Sequence, residues 1–182
     1  NTVPLETLVF KQWDKSFGGD LSDYFYSLQP ASDGGYLLGG DSDSGVAGNK
    51  TLSGHGGRDV WLVRIDANGD KLWENSFGGE TNELLRALHS TSDGGYLLGA
   101  SSKSGVSGNK TAALQGGFDY WLVKIDANGN KLWDKSYGGD ADDHLISIQS
   151  TTDGGCLLGG MSQSGATGSK TTQARGNWDF WV

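Results

Sequence analysis

Two short loops of the sequence carry oxygen-bearing side chains at alternating positions, an arrangement that also opens calcium-binding loops. The two sets are Asp66, Asn68 and Asp70, and Asp126, Asn128 and Asn130. The twelfth position counted from Asp66 is Phe77, so the glutamate that would give calcium a bidentate ligand is missing there. Asn-Gly pairs are typical of tight hairpins. We therefore interpret both loops as hairpin turns, with a weak calcium site as the alternative.

A second set of acidic residues follows three Gly-Gly pairs. Its members are Asp20 with Asp23, Glu80 with Glu83, and Asp140 with Asp142 and Asp143. Carboxylates that recur in this way could line one rim of the molecule and bind cations or sugar hydroxyls. The alternative is a solvated turn that keeps the surface soluble and blocks pairing at sheet edges.

The other reactive side chains do not assemble into a catalytic pattern. The three histidines have no neighbour at the spacing of a metal site or a catalytic triad. Asp59, Asp119 and Asp179 each precede an aromatic strand, where a carboxylate is expected to accept backbone N–H bonds. Cys156 is the only cysteine and is expected to be buried and inert. We predict no catalytic residue and no enzymatic activity for this chain by itself.

The spacing of these residues reveals a tandem repeat of 60 residues without insertions. Trp13, Trp73 and Trp133 mark its copies, and the repeat units are 13–72, 73–132 and 133–182. In the second unit, strand-like runs cover 84–90, 96–101, 119–126 and 131–137. Tight links between consecutive runs require antiparallel pairing. The apolar run 119–126 is predicted to be buried on both faces, and 131–137 to be an outer or edge strand.

Four antiparallel strands per unit, packed face to face with the next unit, predict an all-β fold of β-propeller blades. Residues 1–182 would form one propeller, either a partial ring or half of a dimeric ring. Closed propellers have about four to eight blades. The missing blades would come from a longer form of the same chain or from a second copy. Residues 8–17 match the last strand of a blade and would supply a ring-closing or outer strand.

Several segments resemble a known family. They are 93–99, with the sequence DGGYLLG, then 116–126, the Asn128-Gly129 pair and 133–139. These segments are similar to the bacterial β-propeller repeats of secreted and surface proteins, many of which carry a C-terminal sorting domain. The resemblance implies an extracellular or cell-surface location. It supplies no catalytic residue, because members of this family resemble one another as scaffolds.

Charge narrows the choice of partner. The formal net charge is −8, which disfavours nucleic acid and anionic membranes. No apolar run approaches the ~18 residues that a membrane span needs. We expect a binding or adhesion module with a protein or glycan partner at the cell surface, and no cofactor other than the possible calcium.

Two alternatives remain for the function. One is a glycan-binding, lectin-like propeller, since tryptophans can stack on sugar rings. However, Trp61, Trp121 and Trp181 lie in apolar runs and are expected to be core residues. The other alternative is the N-terminal part of a larger secreted enzyme.

Overall fold

The computed structural model describes residues 12–182, which fold as three antiparallel β-sheets without a helix. The first sheet consists of β1 (Asp23–Pro30), β2 (Tyr36–Ser42), β3 (Asp59–Ile65) and β4 (Lys71–Phe77). The second consists of β5 (Glu83–Ser90), β6 (Tyr96–Ser102), β7 (Asp119–Ile125) and β8 (Lys131–Tyr137). The third consists of β9 (Asp143–Ser150), β10 (Cys156–Ser162) and β11 (Asp179–Trp181). The expected all-β class is confirmed, and the strand limits expected in the second repeat are correct to within one residue.

The strand order follows the chain in every sheet, and the register repeats with the sequence. The first residue of β1, β5 and β9 pairs with the last residue of the following strand, as in Asp23 with Ser42, Glu83 with Ser102 and Asp143 with Ser162. Each of these strand pairs also contains an irregularity in register at equivalent positions. The two four-stranded sheets are therefore copies in pairing as well as in sequence.

Consecutive sheets pack face to face through their first strands. Leu85 and Leu88 of β5 lie against Gly39 of the first sheet, and Leu145 and Ile148 of β9 lie against Gly99 of the second. The absence of a side chain on these glycines lets the strands approach closely. Most buried apolar residues of the first two sheets form one continuous core, which includes Val60, Leu62, Leu98 and Trp121.

The outer and inner strands differ in burial as the sequence predicts. Every residue of β3 and β7 is buried, whereas β4 and β8 form the edges of their sheets and expose Leu72 and Leu132. The expectation of a doubly buried third strand and an edge-forming fourth strand is confirmed. No helix in residues 12–182 has the length and apolarity needed to cross a membrane.

Two expectations need correction. Cys156 is exposed, not buried. Its equivalent Tyr96 is buried in the second sheet, but on the third sheet no described strand covers this position.

Of the expected strand 8–17, residues 8–11 lie outside the described part, and 12–17 form no strand. They are held by side chains instead: the Trp13 indole N–H donates to Ala67 O at 3.2 Å, and its ring packs on Gly69.

Candidate functional site

One end of the three sheets carries the same loop in each repeat. The loops are 43–58, 103–118 and 163–178, and they stand beside the acidic turns 18–22, 78–82 and 138–142. We call these loops and turns together the rim. Consecutive turns and loops touch along the rim. Glu80 N, for example, donates to Ser107 Oγ at 3.0 Å. The rim is thus a composite surface to which every repeat contributes.

The loops share a backbone turn, although the reciprocal pairing of its two ends is present in the first two loops and not in the third. In the first, the backbone N–H groups of Ala47 and Lys50 each donate to the carbonyl of the other residue, at 3.1 and 3.0 Å. Gly48 between them has φ of 58°, and its equivalent Gly108 has φ of 55°, a region that other residues rarely occupy. The tip of each loop points into solvent, with Val46 and Val106 about two-thirds exposed. Each repeat therefore presents a similar apolar tip from a fixed backbone turn.

A buried lysine holds each loop from the inside. Lys50 Nζ donates to the carbonyls of Ser44 and Leu52 at 2.8 and 2.6 Å, and Lys170 Nζ donates in the same way to Ser164 and Thr172. Lys110 Nζ donates to Ala112 O and to Ser136 Oγ. Burial lowers the pKa of Lys50 and Lys110. The lysines were not identified from the sequence, although one occupies the same position in every unit.

The residue before each lysine fastens the loop to the neighbouring turn. Asn49 Oδ1 accepts from Gly18 N at 2.8 Å, and Asn109 Oδ1 accepts from Gly78 N at 2.9 Å. In the third repeat Ser169 accepts the same kind of bond from Gly138 N. The Asn-Lys-Thr segments 49–51 and 109–111 are visible in the sequence, but they suggest only loop residues and not this fastening role.

The six proposed rim carboxylates separate into two groups of three. Asp20, Glu80 and Asp140 are exposed on the turns. Asp140 Oδ1 accepts a hydrogen bond from Thr167 Oγ1 at 2.7 Å, while the Glu80 and Asp140 backbone N–H groups bond to loop hydroxyls. Asp142 is only half-buried, and its Oδ1 accepts from Phe118 N. The exposed group can meet a ligand from solvent.

The other group, Asp23, Glu83 and Asp143, lies at the starts of β1, β5 and β9. Asp23 is half-buried, and Glu83 and Asp143 are fully buried. Each accepts from the backbone N–H of the glycine four residues earlier, at 2.7 to 2.8 Å. Serine hydroxyls donate to the same carboxylates, as Ser102 Oγ does to Glu83 at 2.7 Å. These bonds fix the turn, and they leave Glu83 and Asp143 facing the interior instead of a ligand.

Asp59 and Asp119, at the starts of β3 and β7, lie beside the buried group. Asp119 Oδ2 accepts from Gln115 N at 2.8 Å, whereas its Oδ1 is buried and has no hydrogen-bond partner. Asp59 has the same arrangement with His55 N. Burial raises the pKa of each to about 6, and the neighbouring carboxylates Glu83 and Asp143 act in the same direction. The expected acceptance of turn N–H bonds is confirmed for both.

The residues considered for calcium form hairpin turns at the opposite end of the sheets. Asp66 Oδ1 accepts from the backbone N–H of Asn68 and Asp70, and Asp126 Oδ1 accepts from those of Asn128 and Asn130, at 2.8 to 2.9 Å. The bond from Asp70 N is the main cause of a lowered pKa for Asp66, whereas the pKa of Asp126 is lowered chiefly by a side-chain hydrogen bond from Asn130 Nδ2 and then by the backbone bonds. Within residues 12–182, no three His, Cys, Asp or Glu side chains are grouped as a metal ion would need.

Two of the three tryptophans considered for sugar stacking are buried. The Trp61 indole N–H donates to Glu74 at 2.9 Å, and that of Trp121 donates to Asp134 at 3.0 Å. Trp181 is half-buried and lies 4.7 Å from Tyr120 between ring centres. The expected core role is confirmed for Trp61 and Trp121.

More accessible aromatic rings line clefts between the sheets at the hairpin end. One cleft, of about 440 Å³, is lined by Asp33, Arg64, Trp73 and Asn128 among others. A cleft of about 610 Å³ between the second and third sheets includes Lys124, Trp133 and Thr151. Each combines a tryptophan edge with charged and hydroxyl groups.

Comparison with known proteins gives one informative similarity. No family model matches this chain. The chain is 27% identical over 180 residues to the regulatory protein FlaEY of Caulobacter vibrioides. The alignment covers 94% of this chain but 19% of FlaEY, so the chain spans about a fifth of that relative's length.

Proposed function

We propose that the chain is part of a β-propeller that serves as a scaffold or adhesion-type binding module at the bacterial cell surface, with no catalysis of its own. The observation that carries this proposal is the rim, where three loops of similar shape stand at the same end of consecutive sheets. Buried lysines hold all three from within. Repeated, preorganised surfaces favour multivalent binding, because a second contact follows the first at high effective concentration.

Sheet geometry and sequence support the propeller architecture. Two four-stranded sheets share one strand order and register, and they pack face to face as propeller blades do. The segments around DGGYLLG resemble blades of secreted and surface proteins, which is the ground for the proposed extracellular location.

The carboxylate arrangement supports binding over catalysis. Glu83 and Asp143 recur at equivalent positions and make equivalent bonds to a turn, as expected of a repeated structural device. A catalytic centre, in contrast, needs one asymmetric set of acid, base and nucleophile. The name of the Caulobacter relative, a regulatory protein, specifies no reaction and is compatible with a binding role.

The test is binding to a microarray that carries bacterial and host glycans together with purified surface proteins. We expect the chain to bind a defined subset of spots, and the triple variant Val46→Asp, Val106→Asp, Ala166→Asp to lose at least about tenfold in affinity, the equivalent of ~1.4 kcal/mol. The matched control is Leu132→Asp, which charges an exposed position on the outer strand β8. Binding that both variants retain, or no binding to any spot, would contradict the rim as the binding surface.

Glycan binding in the hairpin-end clefts is the second candidate. The cleft containing Trp133 and Lys124 offers the mixture of aromatic and polar groups that suits a sugar. In that case Trp133→Ala would abolish the signal from glycan spots, whereas the loop-tip triple variant would bind them normally.

A further inference from the structure

The first strands of the second and third sheets, β5 and β9, each place two apolar side chains against the preceding sheet. Leu85 and Leu88 of β5 are 0% and 1% exposed, and Leu145 and Ile148 of β9 are 0% and 2% exposed. The equivalent residues of β1 are Phe25 and Leu28, 60 residues earlier, and they are 60% and 49% exposed. Within the described residues 12–182, the first sheet therefore leaves exposed the two side chains whose equivalents the other two sheets bury.

The glycine that receives such a pair is also present in each repeat. A Cβ on Gly39 would lie 2.8 Å from Leu85 Cδ2, and one on Gly99 would lie 2.5 Å from Leu145 Cδ2. The third member of this series is Gly159 of β10, and a Cβ there would meet nothing within 4 Å. The third sheet thus has an open site where the other two hold an aliphatic pair.

Aromatic residues at the rim show the same complementarity. His144 lies between Phe118 of the preceding repeat, at 4.7 Å between ring centres, and Trp178 of its own repeat, at 5.6 Å. The equivalent of His144 in the first repeat is Tyr24, which has Arg58 of its own repeat over its ring at 4.2 Å. Tyr24 and Trp178, the equivalent of Phe118, are 42% and 43% exposed. At the junction between the second and third sheets, the equivalents of Trp178 and Tyr24 are Phe118 and His144, which contact each other.

A backbone hydrogen bond between consecutive repeats also has an equivalent donor and acceptor on the two exposed faces. At the two internal junctions, Glu83 N donates to Arg58 O and Asp143 N donates to Phe118 O, both at 2.6 Å. The equivalent pair at the two uncovered faces is Asp23 N and Trp178 O.

We propose that the β1 face of one chain docks on the β10 face of a second copy of this chain, with Phe25 and Leu28 seated at Gly159. The two surfaces are different patches, so the contact is heterologous and joins copies head to tail. Both patches are apolar at the centre, and burying an exposed Phe or Leu side chain at the contact favours association. A second copy fits because it carries the aliphatic or aromatic side chains and the receiving glycine at the spacing that occurs at both internal junctions, and the aromatic residues at the spacing of the Phe118–His144 contact.

The test measures the mass of the 182-residue chain over a concentration series by sedimentation and light scattering. We expect the wild-type chain to associate. Phe25→Asp and Gly159→Leu should each weaken association at least about tenfold, the first by charging the inserted side chain and the second by filling the open site. Gly159→Leu faces open space within its own chain, so circular dichroism and the thermal midpoint should remain those of the wild type. Leu132→Asp, an equally exposed apolar position on β8, is the control that should leave the mass unchanged.

A mixing experiment identifies the head-to-tail arrangement. The Phe25→Asp chain retains an intact β10 face, and the Gly159→Leu chain retains an intact β1 face. Mixed in equal amounts, these two variants should form a one-to-one dimer although neither associates alone. A wild-type chain that stays monomeric at every concentration, an assembly that neither variant weakens, or a mixture that remains monomeric would each overturn the proposal.

Discussion

Gly138 and Asp119 approach so closely that any side-chain carbon on Gly138 would overlap Oδ1 of the buried carboxylate. Gly78 stands in the same relationship to Asp59. This contact places the turn after the outer strand directly against the start of a buried strand, and it recurs at both junctions between sheets. It explains why the first residue of these Gly-Gly pairs is glycine.

Gly138→Ala is expected to destabilise the chain by about 2 to 4 kcal/mol, because the methyl group would displace a carboxylate that has no room to move. The measurement is urea unfolding followed by tryptophan fluorescence. Gly105→Ala is the matched control, since a Cβ at that loop position meets nothing within 4 Å, and it should change the free energy of unfolding by less than ~0.5 kcal/mol. Equal effects of the two substitutions would show that the Gly138 contact is unimportant.

Stability is expected to fall between about pH 4 and pH 6 because of the three buried carboxyls of Asp119, Asp59 and Asp41. Burial raises the pKa of each to about 6 from an ordinary value of 3.8, so the folded chain binds more protons than the unfolded chain in this interval. The free energy of unfolding therefore decreases as the pH rises, and it becomes level above about pH 6. Asp134 has a pKa well below its usual range, so it titrates in more acidic solution.

Asp119→Asn removes one of these titrations. We expect the variant to gain about 1 to 3 kcal/mol at pH 8 relative to the wild type and to lose part of the slope between pH 4 and pH 6. Urea titrations at each pH supply the data, with the exposed Asp140→Asn as control. An unchanged slope would mean that Asp119 is ionised at low pH in the folded chain.

Lys110→Met is expected to loosen loop 103–118. The ammonium donates to Ala112 O from inside the loop, and loss of this donor from a partly buried carbonyl costs about 1 kcal/mol or more. Hydrogen exchange followed by mass spectrometry should show faster exchange in 103–118 and unchanged exchange in β7. Lys103→Met, at an exposed position of the same loop, should leave exchange at the wild-type rate. If the Lys110→Met variant also exchanged at the wild-type rate in 103–118, the loop shape would not depend on the buried lysine.

Cys156 should react with a thiol reagent in the folded chain because its side chain is exposed. Partial burial raises the pKa of the thiol, so the reaction at pH 8 should be slower than that of a free peptide thiol but complete. Counting modified thiols before and after denaturation gives the result. A thiol that reacts only in denaturant would show that Cys156 is buried in the folded chain.

The strands of the second repeat could be predicted from sequence because their apolar pattern and turn residues are local properties. The run 119–126 has no polar alternation, which predicts burial on both faces, and the structure buries all of β7. The exposure of Cys156 could not be predicted in this way. Burial at that position depends on which sheet lies beside it. The residues that follow it, Leu-Leu-Gly, are the same in all three repeats, so the local sequence does not show whether a neighbouring sheet is present.

The rim shows a second limit of sequence reasoning. Glu80 and Glu83 are both acidic residues of one turn, yet one is exposed and the other is buried against a serine and a backbone N–H. The distinction arises where β5 begins, because its first side chain faces the adjacent loop. Lys110 was overlooked for the opposite reason, since lysine is seldom fully buried.

The most direct test of the proposed architecture is cryo-electron microscopy of the longest natural form of this polypeptide that can be purified. We predict a closed ring in which the sheets are arranged radially, with loops 43–58, 103–118 and 163–178 on one face of the ring. An open stack or an extended filament of sheets, with the loops distributed along its side, would contradict the propeller and the shared rim that depends on it.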